Sequence, residues 1–493
     1  MRRHSRGLSI SFCLLWFAVI MNAPPGRAQS VQARWNPQPW IDDLHQIRRT
    51  LETKYANLEW LTKERQVSLD GLFDDAQSRI AAADNDAQAR SVFERLLRKI
   101  DDGHVRLDWP STQISPVEKA SSPITPSIPD FCHALGYAEK SDSVDVVTGL
   151  ASYRRLDNDP ILPIGLATIG GIRVGLIRIE VFMPQFTPSL CIAAVQELKI
   201  SPAIACSDSC QDAIEHAAYS RMTAILEEHL RRLHAEGASV LVVDITNNGG
   251  GSEWAEAAVR MLSRKDLVSE PMEFVRGSHW AKHWEGVARE LQNAAKSANP
   301  EDKQELTKWA AQAIKAREAA EQNCPLNSGC AWLGRAGFST GLVGTASATS
   351  FLGKSWGPTV FSPAEYSYHD GVWTGPVVVL TDQGTGSAAE EFAAVLQDNH
   401  AAFIVGARTV GAGCGHTDGG TPTVLDHTKA VLEVPDCARI RADGTNEISG
   451  VIPDYLIPWR ADDGPLYKAH LLEKALPTVL QRAMRTYGHS SHN

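Results

Sequence analysis

The chain has 493 residues, of which 43% are hydrophobic and 22% are charged, and its formal net charge is −10. This length allows one large hydrophobic core with a smaller domain attached to it. Because the chain is mildly acidic and has no cluster of lysine and arginine, its composition excludes nucleic acid as an expected partner.

The N-terminus has the pattern of a secretory signal peptide. Three arginines lie within the first six residues, an apolar run covers residues 8–21, and the polar residues 22–28 end on the small residue Ala28. We predict cleavage after Ala28 and an exported protein, periplasmic or secreted. A membrane anchor is the alternative, but the apolar run is short for a bilayer span, which needs about 20 residues. We predict no later span, and hence no stable membrane span after cleavage.

Cysteine usage agrees with export. Of the nine cysteines, Cys13 leaves with the signal peptide and an even number, eight, remains, which suggests disulfides. The candidate pairs are Cys206–Cys210, Cys324–Cys330 and, closing a longer loop, Cys414–Cys437. A zinc site is the alternative, but no histidine stands at finger-like spacing, so we predict neither a metal nor another cofactor.

Three apolar stripes with helical spacing follow the signal peptide. They cover residues 41–55, 69–80 and 92–100. They predict a small helical bundle over residues 29–107. We interpret residues 108–165, which are rich in proline and serine, as a linker with some β structure.

An α/β core is predicted over residues 166–475, because buried strands alternate there with loops and helices. The predicted strands are 174–179, 238–245, 376–380 and 402–405, and the predicted helices are 211–235, 255–262 and 387–396. We interpret the stretch of about 265–345, which is largely charged, alanine-rich and helical, as an insertion on the surface. Residues 476–493 are expected to be a C-terminal tail.

Ser387 is the first candidate for catalysis. A Gly-rich loop, residues 381–386, joins a buried strand to the helix that Ser387 opens. A hydroxyl at a helix N-terminus lies beside free backbone N–H groups, which stabilise developing negative charge. The alternative is an ordinary N-cap serine in a capping box with Glu390, and the local sequence alone favours it.

A second Gly-rich loop, Asn-Asn-Gly-Gly-Gly at residues 247–251, also follows a buried strand. Three glycines let the backbone approach a ligand closely, which suits an oxyanion hole. A phosphate loop is disfavoured because no Gly-Lys-Ser/Thr sequence ends it, and a tight turn is the other alternative. His104 and Glu447, each taken alone, indicate only a loop histidine and a surface carboxylate.

Six segments, taken together and in order, resemble one family. They are DDGHVRL (101–107), GLIRIEVF (175–182), VVDITNNGGG (242–251), TGSAAEEFAAVLQDN (385–399), VGARTVGAG (405–413) and GVIPD (450–454). The chain thereby resembles the tail-specific, or C-terminal-processing, serine peptidases with their tricorn-protease and interphotoreceptor retinoid-binding relatives. The resemblance implies a Clp-protease/crotonase-like core of stacked β-β-α units behind an N-terminal helical bundle.

The resemblance also implies a catalytic site. Its nucleophile is Ser387, and its oxyanion donors are the backbone N–H groups of Ala388 and of the glycine loop, with Gly250 favoured. The implied substrate contacts are Gly249, Gly251 and Gly386.

The general base separates two branches of this family. Peptidases of the bacterial processing type carry their lysine in a Gly-Lys-Gly segment, where this chain has Ala412. The lysine nearest to that segment on the C-terminal side is Lys429, well beyond it. The tricorn-type branch instead uses a histidine from the end of the helical domain and a glutamate before the Gly-x-x-Pro-Asp motif. These correspond to His104 and Glu447, with His416 as a reserve candidate for the base.

The signal-peptide pattern and the resemblance together predict an exported serine-type endopeptidase or hydrolase that cleaves peptide or protein substrates through an acyl-enzyme on Ser387. Two alternatives stay open. One is a non-catalytic binder of an apolar ligand on the same fold, and the other is an esterase with the same site. The sequence gives no oligomeric state.

Overall fold

The computed structural model describes residues 35–110, 126–139, 145–157, 161–263, 266–322, 324, 328–416 and 422–490. The predicted signal peptide, with Cys13, lies outside the described residues. Residues 1–36 and 37–493 are two units, and the elements below belong to the second. In the described ranges, no helix combines the length and the apolar character needed to cross a membrane.

The helices and strands follow the predicted order. The α-helices are α1 (Gln38–Lys54), α2 (Leu69–Ala81), α3 (Asp86–Ile100), α4 (Ile128–Ala134), α5 (Pro188–Glu197), α6 (Asp208–Ala235), α7 (Trp254–Met261), α8 (Ser278–Ser297), α9 (Pro300–Glu321), α10 (Gly357–Val360), α11 (Ala388–Asp398) and α12 (Pro465–Ser490). The β-strands are β1 (Arg106–Asp108), β2 (Arg154–Arg155), β3 (Ile164–Ile169), β4 (Ile172–Arg178), β5 (Val240–Asp244), β6 (Pro271–Val275), β7 (Leu333–Phe338), β8 (Val377–Thr381), β9 (Phe403–Gly406), β10 (Thr423–Val424), β11 (Val431–Glu433), β12 (Cys437–Arg439) and β13 (Tyr455–Leu456).

A seven-stranded sheet forms the centre of the fold, in the order β13-β9-β8-β5-β4-β3-β2. Strands from β13 to β4 run parallel to their neighbours, whereas β3 pairs antiparallel with β4 and β2. Alternate residues of β5 and β8 face α6, α7 and α11 on one side and α12 on the other. Burial on both faces explains why these strands are almost continuously apolar. The predicted mixed α/β core is confirmed.

The N-terminal helices α1, α2 and α3 pack together as predicted, and their ends follow local sequence signals. Ser68 and Asn85 cap α2 and α3 by accepting backbone N–H groups through their side chains. Helix α3 ends at Asp101, which adopts a left-handed conformation. Strand β1 then pairs with β11 in a small three-stranded sheet with β10, so the segment that carries His104 links the bundle to this sheet.

The helical insertion has its own core. Helices α8 and α9 pack on each other, and β6 and β7 form a second antiparallel sheet with β12. Phe274, Trp280 and Trp284 lie within ring-contact distance of one another beneath this sheet. The insertion is therefore tied to β12, the strand that carries Arg439.

The predicted boundary of a C-terminal tail at residue 475 falls inside α12, so this expectation needs correction. Leu472, Leu476, Val479 and Leu480 are buried against the large sheet. Their spacing is that of one helix face, which gives these residues a place in the core rather than in a tail. Pro477 lies inside the helix without ending it.

Four disulfides join the eight cysteines of the predicted mature chain. They are Cys132–Cys191, Cys206–Cys210, Cys324–Cys330 and Cys414–Cys437. The last three are the predicted pairs, which are thus confirmed. The first joins α4 to α5 and fastens the predicted linker region to the core.

Candidate active site

Two Gly-rich loops meet at one edge of the large sheet. Strands β5 and β8 are parallel neighbours, so the loops that follow them leave from the same edge, where open α/β sheets bind ligands. The N–H of Gly386 donates to the backbone oxygen of Asn248 at 2.9 Å. Asp382 accepts the N–H of Asn247 at 2.8 Å. The two loops therefore hold each other in one arrangement.

Ser387 stands between the loop of residues 381–386 and α11 in a strained conformation, with φ 56° and ψ −125°. Such a conformation in a non-glycine residue persists only where the surroundings impose it. Gly250 of the neighbouring loop comes so close that a Cβ there would lie 2.7 Å from the Cβ of Ser387. Glycine is required at residue 250 for this approach, since its φ is also positive at 106°.

His104 lies beside Ser387. Its Nε2 is 3.2 Å from the Ser387 Oγ, and its Nδ1 is 3.0 Å from the backbone oxygen of Ala412. A carbonyl oxygen can only accept, so Nδ1 carries the proton and the lone pair of Nε2 faces the hydroxyl. This is the tautomer that a general base needs.

The protonation state of His104 fits the same role. Burial lowers the pKa of His104 to about 4, and the positive charge of Arg439 acts in the same direction. The hydrogen bond to Ala412 raises the pKa but does not offset the burial. His104 is therefore neutral at pH 7 and able to accept a proton.

Asp102 fixes the backbone that carries His104. One carboxylate oxygen accepts the His104 N–H at 2.9 Å, and the other accepts the Tyr55 hydroxyl at 2.9 Å and the Asn57 amide at 3.0 Å. Burial raises the pKa of Asp102 to about 6, although these hydrogen bonds act against it. The helical bundle thus holds the histidine in place through α1 and the residues that follow it.

Glu390 binds the nucleophile's loop to the segment that holds His104. The carboxylate is fully buried. It accepts the N–H of Ser387 at 3.0 Å, of Ala412 at 2.7 Å and of Gly411 at 2.7 Å. The Ser387 contact is the acidic half of the predicted capping box. The other contacts place the Ala412 carbonyl against His104, so one carboxylate positions both partners.

Arg439 is a second link between these parts. Its Nη2 donates to the backbone oxygens of Ser387 at 3.1 Å and Gly413 at 3.0 Å. Its Nη1 donates to Glu391 at 3.2 Å, and its Nε donates to Glu447. The buried guanidinium thereby fixes the backbone on either side of the serine–histidine contact.

Glu447 is 1% exposed, and its carboxylate accepts a hydrogen bond from this guanidinium. Its other oxygen, Oε1, has no hydrogen-bond partner among the described residues. The predicted assisting glutamate, Glu447, is therefore linked to Ser387 indirectly, through Arg439.

The placement of the glycines differs in part from the expectation. The N–H of Gly250 donates to the side chain of Asn248 at 2.9 Å, so its own loop already uses this donor. Gly249 is exposed to solvent, and Gly386 is buried with its N–H bonded to Asn248. Gly250 is explained as a loop former by its positive φ and close approach, and Gly386 by its close approach to Val410, whereas neither reason applies to Gly249.

Gly251 is better placed than Gly250 to offer its N–H to a ligand. It lies opposite Phe182 in a parallel bridge whose hydrogen bonds use the groups on either side of it. The N–H of Gly251 consequently points away from Phe182. Gly251 and Ala388 both line the cavity that contains Ser387.

The alternative bases lie farther from the hydroxyl. The ring of His416 is 6.1 Å from that of His104, and its Nε2 faces Glu433 at 3.5 Å. Lys429 donates to the backbone oxygen of Asp426 at 2.7 Å. His416 lines the cavity, while Lys429 is not among its lining residues.

The cavity has a volume of about 740 Å³ and is lined by Ser387, His104 and the Cys414–Cys437 disulfide, among others. Within the described residues, no group of three or more histidine, cysteine, aspartate or glutamate side chains is arranged to hold a metal ion.

Sequence reasoning missed three contributors: Arg439, the Ala412 carbonyl and most of the contacts of Glu390. The available signals were weak. The sequence marks Glu390 only as a capping residue and Ala412 only as the residue in the place of a lysine. Arg439 lies in no motif.

A strained serine beside a neutral histidine, at the carboxyl ends of parallel strands in an α/β core, is the arrangement of a serine hydrolase. Residues 174–457 match peptidase family S41, which is more than half of the chain. The chain belongs to this family and is a serine-type peptidase, as the six segments predicted.

Solved structures share the fold. A crystal structure of mature CPAF matches with a TM-score of 0.56 and 14% sequence identity, covering 91% of this chain and 98% of that chain. Mature CPAF complexed with lactacystin matches with a TM-score of 0.54 and 15% identity, covering 90% and 99%. A search of curated proteins found no match.

Proposed function

We propose that this protein is an exported serine peptidase of the serine–histidine type, which hydrolyses peptide bonds through an acyl-enzyme on Ser387. The observation that carries the proposal is the 3.2 Å contact between His104 Nε2 and Ser387 Oγ, with the Ala412 carbonyl fixing the tautomer. The placement of Ala412 where the other branch has lysine supports the same assignment.

The proposed reaction begins when Ser387 attacks the scissile carbonyl and His104 removes the hydroxyl proton. The N–H groups of Ala388 and Gly251 stabilise the oxyanion, with Gly251 replacing the predicted Gly250 because the latter's N–H is bonded to Asn248. His104 then protonates the leaving amine. Water, deprotonated by the same histidine, releases the acyl group and restores the serine.

Glu447 acts in this proposal as a positioning residue. Its carboxylate neutralises and orients Arg439, and Arg439 fixes the carbonyls of Ser387 and Gly413. Arg439 also bonds Glu391, so removal of Glu447 leaves the guanidinium partly held. Arg439 and Glu447 stabilise each other, because either charge left unpaired in this buried position would cost free energy.

Export is part of the proposal. It is supported by the signal-peptide pattern of residues 1–28 and by the four disulfides, which form and persist in oxidising compartments. A carrier of apolar ligands is less well supported, because charged and histidine side chains make up much of the cavity lining.

A peptide-library digest with wild type and Ser387→Ala side by side tests the proposal. We expect cleavage products from the wild type and none above background from the variant. A parallel assay with ester substrates identifies an esterase, which would cleave esters but no peptide in the library. Equal cleavage by both proteins would show that another residue is the nucleophile.

A further inference from the structure

We propose that the cavity selects peptides with a lysine or arginine side chain close to the scissile bond. This inference rests on the proposed function, because the cavity is the one that contains Ser387. It is carried by a group of carboxylates that lines the same cavity as the catalytic residues, here called the acidic wall and defined as Asp212, Glu215, Glu253 and Glu365.

The acidic wall is built from three separate parts of the chain. Asp212 and Glu215 stand three residues apart on α6 and share one helix face with Tyr219, which also lines the cavity. Glu253 follows the proposed oxyanion residue Gly251 by two positions, and Glu365 directly precedes Tyr366. Because Glu253 is so near in sequence to the reacting centre, a substrate side chain adjacent to the scissile bond can reach the wall.

The positive charge in the cavity does not balance these carboxylates. Arg439 is the arginine among the lining residues, and it lies within 4.0 Å of Glu270, Glu391 and Glu447. The guanidinium is buried and already donates to Glu447 and to the backbone oxygens of Ser387 and Gly413, so Arg439 is not free to bind a substrate anion. Histidines supply the remaining basic groups of the lining, and His104 among them is neutral.

The carboxylates of the acidic wall are open to the cavity. Asp212, Glu253 and Glu365 are exposed residues on its lining. Partial loss of hydration in the cavity raises the pKa of Glu253 and of Glu365. A bound ammonium or guanidinium group would compensate for that loss and favour the charged carboxylates.

Two tyrosines supply a surface for the rest of such a side chain. The rings of Tyr219 and Tyr366 lie 5.2 Å apart, and both residues line the cavity. Aromatic faces attract cations and pack against the alkyl stems of lysine and arginine. Carboxylates beside aromatic rings therefore match a long cationic side chain better than an acidic or short apolar one.

The test compares matched fluorogenic peptides that differ at one position near the scissile bond, with lysine or arginine against norleucine and glutamate. For the wild type, we expect kcat/KM to be at least tenfold higher with the lysine or arginine peptide than with the norleucine peptide. A hydrogen bond to a charged group discriminates by about this factor. In Glu253→Gln/Glu365→Gln, the ratio of cationic to norleucine kcat/KM should fall by about tenfold. Glu285→Gln, an exposed carboxylate on α8 outside the lining, is the matched control and should keep the wild-type ratio.

A binding arm separates this inference from the proposed function. Fluorescence anisotropy measures the Kd of the same peptides for Ser387→Ala protein, which requires no turnover. Tighter binding of the cationic peptide, weakened by the double substitution, supports the acidic wall even if no peptide is cleaved. Equal Kd and equal kcat/KM for cationic and norleucine peptides would overturn it while leaving the serine peptidase intact.

Discussion

The two sides of the active-site cavity are built in opposite ways. Around Ser387 and His104, backbone and side-chain groups bond to one another through Glu390 and Arg439, which fixes the geometry before any substrate arrives. The acidic wall presents carboxylates to the cavity, where desolvation raises the pKa of Glu253 and Glu365. We infer from this difference that rigid preorganisation suits the chemistry, while carboxylates exposed on the cavity lining suit the recognition of a cationic side chain.

The largest effect is expected from loss of the nucleophile. Ser387→Ala should lower kcat by roughly 10^6, as removal of a triad serine can, because among the described residues Ser387 supplies the hydroxyl that is hydrogen-bonded to His104 Nε2. Steady-state kinetics on one cleaved peptide measures this. Ser239→Ala, an exposed serine at the opposite end of β5, is the control and should retain wild-type rates. Activity of Ser387→Ala near the wild-type level would contradict the assignment.

Loss of the base should be nearly as damaging. His104→Ala removes the only imidazole within hydrogen-bond distance of Ser387 in the described part of the chain, so kcat should again fall by roughly 10^6. Lys429→Ala should be mild, because that side chain is bonded elsewhere. His416→Ala should also be milder than His104→Ala. A ranking with Lys429 or His416 above His104 would assign the base differently.

Glu447→Gln should have an intermediate effect, a decrease in kcat of roughly 10- to 100-fold, since one charged hydrogen bond to a buried cation is weakened. Arg439 keeps its bond to Glu391, so the site is loosened rather than lost. Glu273→Gln, which breaks an ion pair with the exposed Arg335, is the control and should leave kcat unchanged. If KM alone changes in Glu447→Gln, the residue contributes to binding and not to positioning.

The smallest expected effect is the change in the wild-type kcat/KM with pH. His104 acts as a base only when neutral, and its lowered pKa of about 4 means that protonation occurs only well below pH 6. The kcat/KM of the wild type should therefore persist as the pH falls from 7 to about 5 and decline as it approaches 4. The Asp102→Asn variant removes the titration of Asp102, whose pKa is about 6, from the pH profile of kcat/KM. An acid limb near pH 6.5 that survives in this variant would show a base with an ordinary histidine pKa.

Much of the fold followed from the sequence because each signal is local. Apolar runs of four to eight residues predicted β5, β8 and β9 to within three residues, and glycine-rich loops marked the functional edge of the sheet. The helix α12 was missed although Leu472, Leu476 and Val479 share one face. The reason is Pro477, because a proline ordinarily breaks a helix, whereas this one lies within α12.

The site was only partly predictable, because several of its contacts depend on tertiary pairing. Order along the chain and family resemblance indicated that Ser387 and His104 belong together. Arg439 reaches them because β12 pairs with β6 of the insertion, which no local pattern encodes. Likewise, a backbone carbonyl such as that of Ala412 has no signature in the sequence.

The central claim, that His104 activates Ser387, is tested most directly by the rate of labelling with a fluorophosphonate probe. Peptide mapping by mass spectrometry should place the label on Ser387 in the wild type. Labelling should be as fast in Lys429→Ala and slower by orders of magnitude in His104→Ala, since the probe reports the activated hydroxyl before any peptide chemistry. Rapid labelling of Ser387 in His104→Ala, or a label on another residue in the wild type, would contradict the account.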